Sequence, residues 1–566
     1  MSRYSIAFSV ILFEVLSPAM ALAQGGGPVS EIVASARASA RYDAAAFGNC
    51  VWDGAHDVEP CVASAVAAAG SGGNATVSIP AGVLPFHSML TVTAPNITIQ
   101  CAGWDSVIQR HSSLTGATQI VYMTGAGDVI RDCTIDGHDV VNTSADLQVS
   151  GANSLIDHVQ AINGAGTIQV AISGQNSTLT RSRIIGTSPD ANIYGVWAGS
   201  GSSVTIDHNT VSNTGIDGIG ANGKGTRIVA NHVFNSHCYT GMGGGQIVAY
   251  PGNPFTIGAI SWSDRKVTIT TAQPHGIPVG ATIAVSGMSP SGYNGDYTAV
   301  AGTTGNTIVY RLADDPGGET ALGFVIDANA NDGILVANNT VDRGCNSASG
   351  AFEIAANNIL VTGNTAVNQQ WNGAGTDPGT TGVAFIANTI KNSCQTNTSP
   401  PCAAFVSSSG GVTNLTLVNN IFIDDQMVPT QQRGIYILGA ADNLNIQGNN
   451  LTGNVIAPLV DNSTGVNKII KNNLGVDNVI PSVASASTLT LPLNPTVSLT
   501  GTTTVTKISA AAWTGREIKL IPNDVVSFTA TNNIANAITT SAKVPIIIVY
   551  DGTSWNLSPR VSPQSR

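Results

Sequence analysis

Residues 204–211 read VTIDHNTV, and residues 227–234 read RIVANHVF. Both carry one pattern: alternating apolar positions, two residues, an Asn, one residue, an apolar residue. It returns as LVANNTV, ILVTGNTAV, VAFIANTI, LTLVNNIFI, LNIQGNNL and IKNNLG. The shared Asn is Asn209, Asn231, Asn339, Asn364, Asn388, Asn420, Asn450 and Asn473; Cys133 and Val159 fill the position in earlier copies. Successive spacings such as 209 to 231 and 339 to 364 give a period of 22 to 25 residues. Strand-like alternation at that period describes one turn of a solenoid, about three short strands joined by bends. One turn cannot bury its own apolar face, and stacked turns bury a continuous core. An Asn in a bend tolerates left-handed geometry and bonds the backbone of its own turn and its neighbours. The Leu skeleton of leucine-rich repeats is missing. The pattern therefore predicts an all-β chain, a right-handed parallel β-helix.

Composition agrees. The chain has 566 residues, with 62 Gly, 10% charged residues and a net charge of −11. So few charges exclude an acidic disordered chain and a helical bundle. No basic run offers a nucleic-acid surface. Residues 1–23 read as a secretory signal peptide, with Arg3, an apolar run and Ala21-Leu22-Ala23 before Gln24. No later stretch is apolar enough to span a membrane. The expected location is outside the cytoplasm, extracellular or periplasmic. There the eight cysteines are expected to pair. Cys394 and Cys402 close a short loop and are expected to form one disulfide; Cys50 with Cys61 is a weaker expectation.

After a linker at 24–41, the β-helix is expected over 42–252 and 328–480. Asn231 and Asn339 are too far apart for one turn, so a small β module is expected at 253–327, with KVTITT, ATIAVSG, GDYTAVAG and TIVYRL as strands. His275, in its QPHGIPVG turn, reads as structural. Residues 485–566 read as a C-terminal β domain suited to capping, glycan binding or homo-oligomer formation.

Residues 42–98 resemble the opening segment of the pectate-lyase-like superfamily of carbohydrate-active β-helices. The likeness lies in Asp43 with Phe47-Gly48, a helix over Val62–Ala69, Gly72-Gly73, and Pro80-Ala81-Gly82. The resemblance implies a capped β-helix over roughly 42–480 and a polysaccharide as partner. It leaves the chemistry open, because the fold hosts hydrolases, lyases, epimerases and phage tailspikes. The polygalacturonase motifs N-T-D-G and G-D-D-x-I correspond here to Asn192-Ile193-Tyr194-Gly195 and Gly215-Ile216-Asp217-Gly218-Ile219. Only Asp217 keeps an aspartate of that family, and its His-Gly has no clear match.

Aligning TIQVAISG, IYGVWAGS, IDGIGANG and NDGILVAN puts Gln169, Tyr194, Asp217 and Asp332 in one expected column. Glycoside hydrolysis needs two carboxyl groups flanking the bond. Asp217 with Asp332 or Glu353 is the expected pair, with His237 in support. Tyr194, Trp197, Tyr239, Gln246 and Arg343 are the expected substrate contacts, and Trp371 is a further stacking candidate. A hydrolase is thus the expected activity. A uronate lyase using Tyr194 or His237 is the alternative, with Lys224, Arg227 and Arg343 as further candidates, and a non-catalytic glycan-binding or tailspike-like adhesive is a third reading. No acidic cluster suggests calcium, and no cofactor or metal is expected.

Overall fold

The computed structural model describes residues 40–559 apart from 117, 187–192, 200–202, 240–243, 251–254, 272–276, 278, 305, 328–332, 397 and 408. The leader at 1–23, the linker up to residue 39, His275 and Asp332 lie outside the described residues.

The chain winds through three long parallel sheets in turn. A representative turn runs through Tyr194–Ala198, then Thr205–Asp207, then Thr210–Ser212. We call the sheets that receive these strands sheets 1, 2 and 3. Among the described residues they hold 12, 15 and 11 strands. The strands are short because each contributes a single inward side chain between two outward ones. In sheet 2 the inward residues Ile206, Ile228, Val336, Val361 and Phe385 lie in register on successive rungs. In sheet 3 Val211, Val233, Val341, Ala366 and Ile390 do the same. All are fully buried. Each Val, Ile or Phe so placed contributes about 1.5–3 kcal/mol of apolar burial.

The bend between sheets 2 and 3 explains the repeat. The residue before each Asn takes a left-handed backbone: φ is 54° at His208, 55° at Ala230, 55° at Asn338 and 67° at Gly448. The next side chain then points inward. Asn231 accepts on Oδ1 from the backbone N and Nδ2 of Asn209, and donates to the carbonyl of Ile206. Asn339 does the same for Asn231, and the chain of bonds continues through Asn364, Asn388, Asn420 and Asn449 to Asn473. The ladder residue in the LNIQGNNL copy is Asn449, one before the expected Asn450. Gly448 occupies the left-handed position, which fixes its successor as the ladder residue; Asn450 instead bridges Ile421 and Leu474.

A helix, Glu59–Gly72, covers the first rungs with Cys61, Val62, Ala65, Val66 and Ala69 buried. It extends the expected Val62–Ala69 at both ends, starting beside Pro60. All eight cysteines are paired: Cys50–Cys61, Cys101–Cys133, Cys238–Cys345 and Cys394–Cys402.

Residues between Gly244–Ala249 of sheet 1 and Leu335–Ala337 of sheet 2 form a separate six-stranded antiparallel sheet with its own apolar core. The four expected strands are there, joined by Phe255–Ser263 and Phe324–Asp327. This module interrupts a single turn of the helix, so the rungs on either side of it remain neighbours: Arg227–Val229 pairs with Leu335–Ala337. At the other end Ser482–Ala484, Thr496–Thr500, Glu517–Pro522, Ile546–Tyr550 and Trp555–Pro559 form a five-stranded sheet over a third core. Among the described residues no helix is long and apolar enough to cross a membrane.

Candidate functional site

Sheet 1 carries the site. Its strands place Val196, Ile219, Ile247, Phe352 and Ala374 inward on consecutive rungs. The next residue on each strand faces out, giving the column Trp197, Gly220, Val248, Glu353 and Gly375. Glu353 is the one carboxylate in this stretch of column.

Asp217 and Tyr194 stand on adjacent rungs, since Gly195 N donates to the Asp217 carbonyl. Both side chains of Asp217 and His237 are 1% exposed. Oδ2 of Asp217 accepts from the Tyr250 hydroxyl at 2.6 Å. Oδ1 lies 3.5 Å from His237 Nδ1, the outer limit of a hydrogen bond. Burial pushes the Asp217 carboxyl up, against the pull of His237 and Tyr250. Burial likewise raises the Tyr194 and Tyr250 hydroxyls, and the Asp217 charge adds to this, so both tyrosines are held as donors. Trp197 packs edge-on to Tyr194 at 5.2 Å and lies 5.3 Å from Tyr250.

Glu353 sits beside this cluster. Burial, with Asp377 and Asp217 nearby as like charges, pushes its carboxyl up to about 7. Asp377, at the end of the next rung, is also raised by burial, and it shares a hydrogen bond with Glu353. Two neighbouring buried carboxyls favour sharing a proton over both being ionised. Gly244 makes the approach possible: a methyl group there would come within 2.7 Å of His237 Cε1 and 3.1 Å of Glu353 Oε2.

The pair opens onto a cleft of about 540 Å³. Glu353 and Asp377 share its lining with Phe352, Trp371, Tyr436 and the Pro400-Pro401 loop. No Lys or Arg lines it among the described residues. Nor, among those residues, does any group of three or more His, Cys, Asp or Glu offer a metal site.

The structure thus brings Tyr194, Trp197, Asp217, His237 and Glu353 together. The sequence column needs correction on two counts. Gln169 is one residue out of register, because Ile168 pairs with Tyr194; its side chain is buried and donates to Ile185 O. NDGILVAN belongs to sheet 2, since Leu335–Ala337 follows Arg227–Val229, so it is no counterpart of IDGIGANG. Gln246 is also not a surface contact: it is fully buried, accepts from Ser236 N and donates to Gln369 Oε1. Arg343 is exposed on the turn leaving sheet 3. Tyr239 is half-buried two residues beyond His237, its backbone N on Gly215 O. Tyr250 and Asp377 were not expected. Their signal was positional, each directly following a sheet 1 strand, but AGTD lacks the apolar pattern that marks the other rungs.

Residues 98–256 match the family described as "Right handed beta helix region". Fold and match together define a right-handed parallel β-helix protein. No curated protein sequence matches the chain. Among solved structures, the A-module of the mannuronan C-5 epimerase AlgE4 of Azotobacter vinelandii is 13% identical, covering 76% of this chain and 99% of that one at a TM-score of 0.48. The catalytic unit of a GH87 alpha-1,3-glucanase from Streptomyces thermodiastaticus is 14% identical, covering 77% and 70% at 0.44. A double mutant of the tailspike protein of E. coli bacteriophage HK620 is 11% identical, covering 92% of each chain at 0.49. These are likenesses of chain path, and no side chain is carried across from them.

Proposed function

We propose that the protein is a secreted glycoside hydrolase acting on a polysaccharide laid in the sheet 1 cleft. One observation carries this reading: the hydrogen-bonded pair of Glu353 and Asp377 on an aromatic-walled cleft, with Glu353 raised to about 7. A carboxyl that keeps its proton near neutrality is what protonation of a leaving glycosidic oxygen requires. Glu353 is the proton donor. Asp377, left ionised, stabilises the positive charge that develops at the sugar carbon. Asp217 and His237 are both shut away from solvent, so their part is to fix the Tyr250 hydroxyl beside Glu353. Water then attacks the sugar carbon and gives its proton to the Glu353 carboxylate. Tyrosines held protonated suit this chemistry better than proton abstraction by a lyase, and among the described residues no Lys or Arg lines the cleft to meet a uronate. Export rests on the leader at 1–23 and on four disulfides, which form in oxidising compartments.

The test is a polysaccharide panel read for new reducing ends and for the ultraviolet absorbance of an unsaturated uronate. Reducing ends alone support the proposal. Both signals together replace it with elimination, and binding without either replaces it with an adhesive role. Glu353→Gln should lower the rate about 10²- to 10⁴-fold with the fold intact.

A further inference from the structure

The cleft continues past the carboxyl pair along the helix axis. From Glu353 the outward column runs through Gly375 and Val406 to Tyr436, one rung at a time. Strands in a sheet lie about 4.8 Å apart, so Tyr436 stands roughly 14 Å from Glu353. The positions between them are small, which leaves a trough with an aromatic ring at its far end.

That ring is fixed in place. The Arg433 guanidinium lies over it at 4.6 Å from its centre, and Asn462 Nδ2 donates to its hydroxyl at 3.2 Å. Arg433 also donates to the carbonyl of Cys402. Cys402 pairs with Cys394, and the loop they close carries Pro400 and Pro401, one wall of the cleft. The backbone N of Cys394 donates to the carbonyl of Trp371 at 2.8 Å, and Ala403 N donates to Asn372 Oδ1 at 3.2 Å. Trp371 and Asn372 line the same wall. Disulfide loop, Trp371, Arg433 and Tyr436 are therefore one connected assembly along one side of the trough.

We propose that this assembly is a set of binding subsites for a neutral pyranose polymer running along the helix axis, with Tyr436 the stacking platform about three sugar units from the bond cleaved. The proposal rests on the reading of the cleft as a glycan site. A pyranose unit in an extended chain advances by about one rung, which matches successive units to Gly375, Val406 and Tyr436. Aromatic faces bind the apolar faces of sugar rings. The charge argues for a neutral chain: the lining is acidic, and Arg433, which touches the platform, is stacked on it and bonded to a carbonyl. An enzyme so built has an activity that rises with substrate length until Tyr436 is reached.

Affinity electrophoresis tests this with Glu353→Gln protein, in which cleavage of the gel polymer is slowed. The polymers are dextran, β-glucan, galactomannan and arabinoxylan, with polygalacturonate and alginate as anionic arms. Retardation by a neutral polymer is expected, and free hexasaccharide of that polymer should relieve it far better than disaccharide. Adding Tyr436→Ala should weaken binding of the polymer and hexasaccharide about tenfold and leave the disaccharide unchanged. Tyr436→Phe, which keeps the ring, should bind as before and serves as the control for folding. Retardation by no neutral polymer, retardation by anionic polymers alone, or an equal loss on long and short ligands overturns the proposal. Cleavage by wild type that ignores Tyr436 overturns the subsites and spares the hydrolase. Neutral-polymer binding that depends on Tyr436, without cleavage by wild type, does the reverse.

Discussion

Glu353→Gln should remove a pH dependence from the stability of the folded protein, whatever the substrate proves to be. The ordinary value for a Glu carboxyl is 4.5, and in the folded chain it is about 7. The folded state thus binds this proton more tightly than the unfolded chain. Between those two values the folded state carries more protons, so stability falls as pH rises. The contribution is fully present below pH 4.5 and gone above pH 7. Each pH unit across the window is worth 1.36 kcal/mol, which makes the loss about 3 kcal/mol. Asp377 is raised by the same burial, so it acts in the same direction. Gln keeps the size of the protonated side chain and can donate to Asp377 as the acid does. Urea midpoints followed by tryptophan fluorescence from pH 4.5 to 8.5 make the comparison. Wild type and variant should agree at the acid end, and the variant should be the more stable at the alkaline end. High salt should change little, because a buried pair is poorly screened. A wild-type midpoint that stays flat, or a variant that falls in parallel with it, refutes the account of the pair.

Three further outcomes follow from the same geometry. Asn339→Ala strands the backbone N of Asn231 and the carbonyl of Ile228 and removes one acceptor from Asn231 Nδ2, so the urea midpoint should drop by the equivalent of about 3 kcal/mol. Gly244→Ala pushes on His237 and Glu353 together; circular dichroism should be unchanged while kcat falls about 100-fold. Cys238→Ser with Cys345→Ser cuts the link between the turn of His237 and the turn leading to Glu353, which are 107 residues apart in sequence. Unfolding should come several degrees lower in a thermal scan, with the loop-entropy limit at about 4.7 kcal/mol for a closed loop near 100 residues.

The solenoid was legible because every turn solves the same problem. Each bend between sheets 2 and 3 needs one left-handed residue and one inward side chain able to bond the next rung. Asn meets the second need so well that it marks the period. Even the misplaced Asn450 shows the rule: in GNN the sequence alone leaves two candidates, and the left-handed Gly448 selects Asn449. The inserted module was legible for the opposite reason, as a gap in the period too long for a turn.

The site was legible only where it borrowed from the repeat. Tyr194, Asp217 and Glu353 lie in or beside strands whose apolar residues mark the rung, so counting from those residues reaches them. Counting failed at the module. It splits one turn between Gly244–Ala249 and Leu335–Ala337, and the segment after it, NDGILVAN, resembles a sheet 1 strand while pairing in sheet 2. A slip from one sheet to another moves a strand to a different face of the helix, which is why Leu335–Ala337 was counted with the column and Asp377 was not. Asp377 was hidden further because its rung is Ala374-Gly375-Thr376, with no large apolar side chain to announce a strand. That lack is itself a consequence of the cleft. Glycine at 375 keeps the floor low beside Glu353, and Phe405 on the next rung fills the core below. Repetition reports what all turns share, whereas a binding cleft exists only where a few turns depart from it; the residues that build this one are therefore those the repeat describes least well.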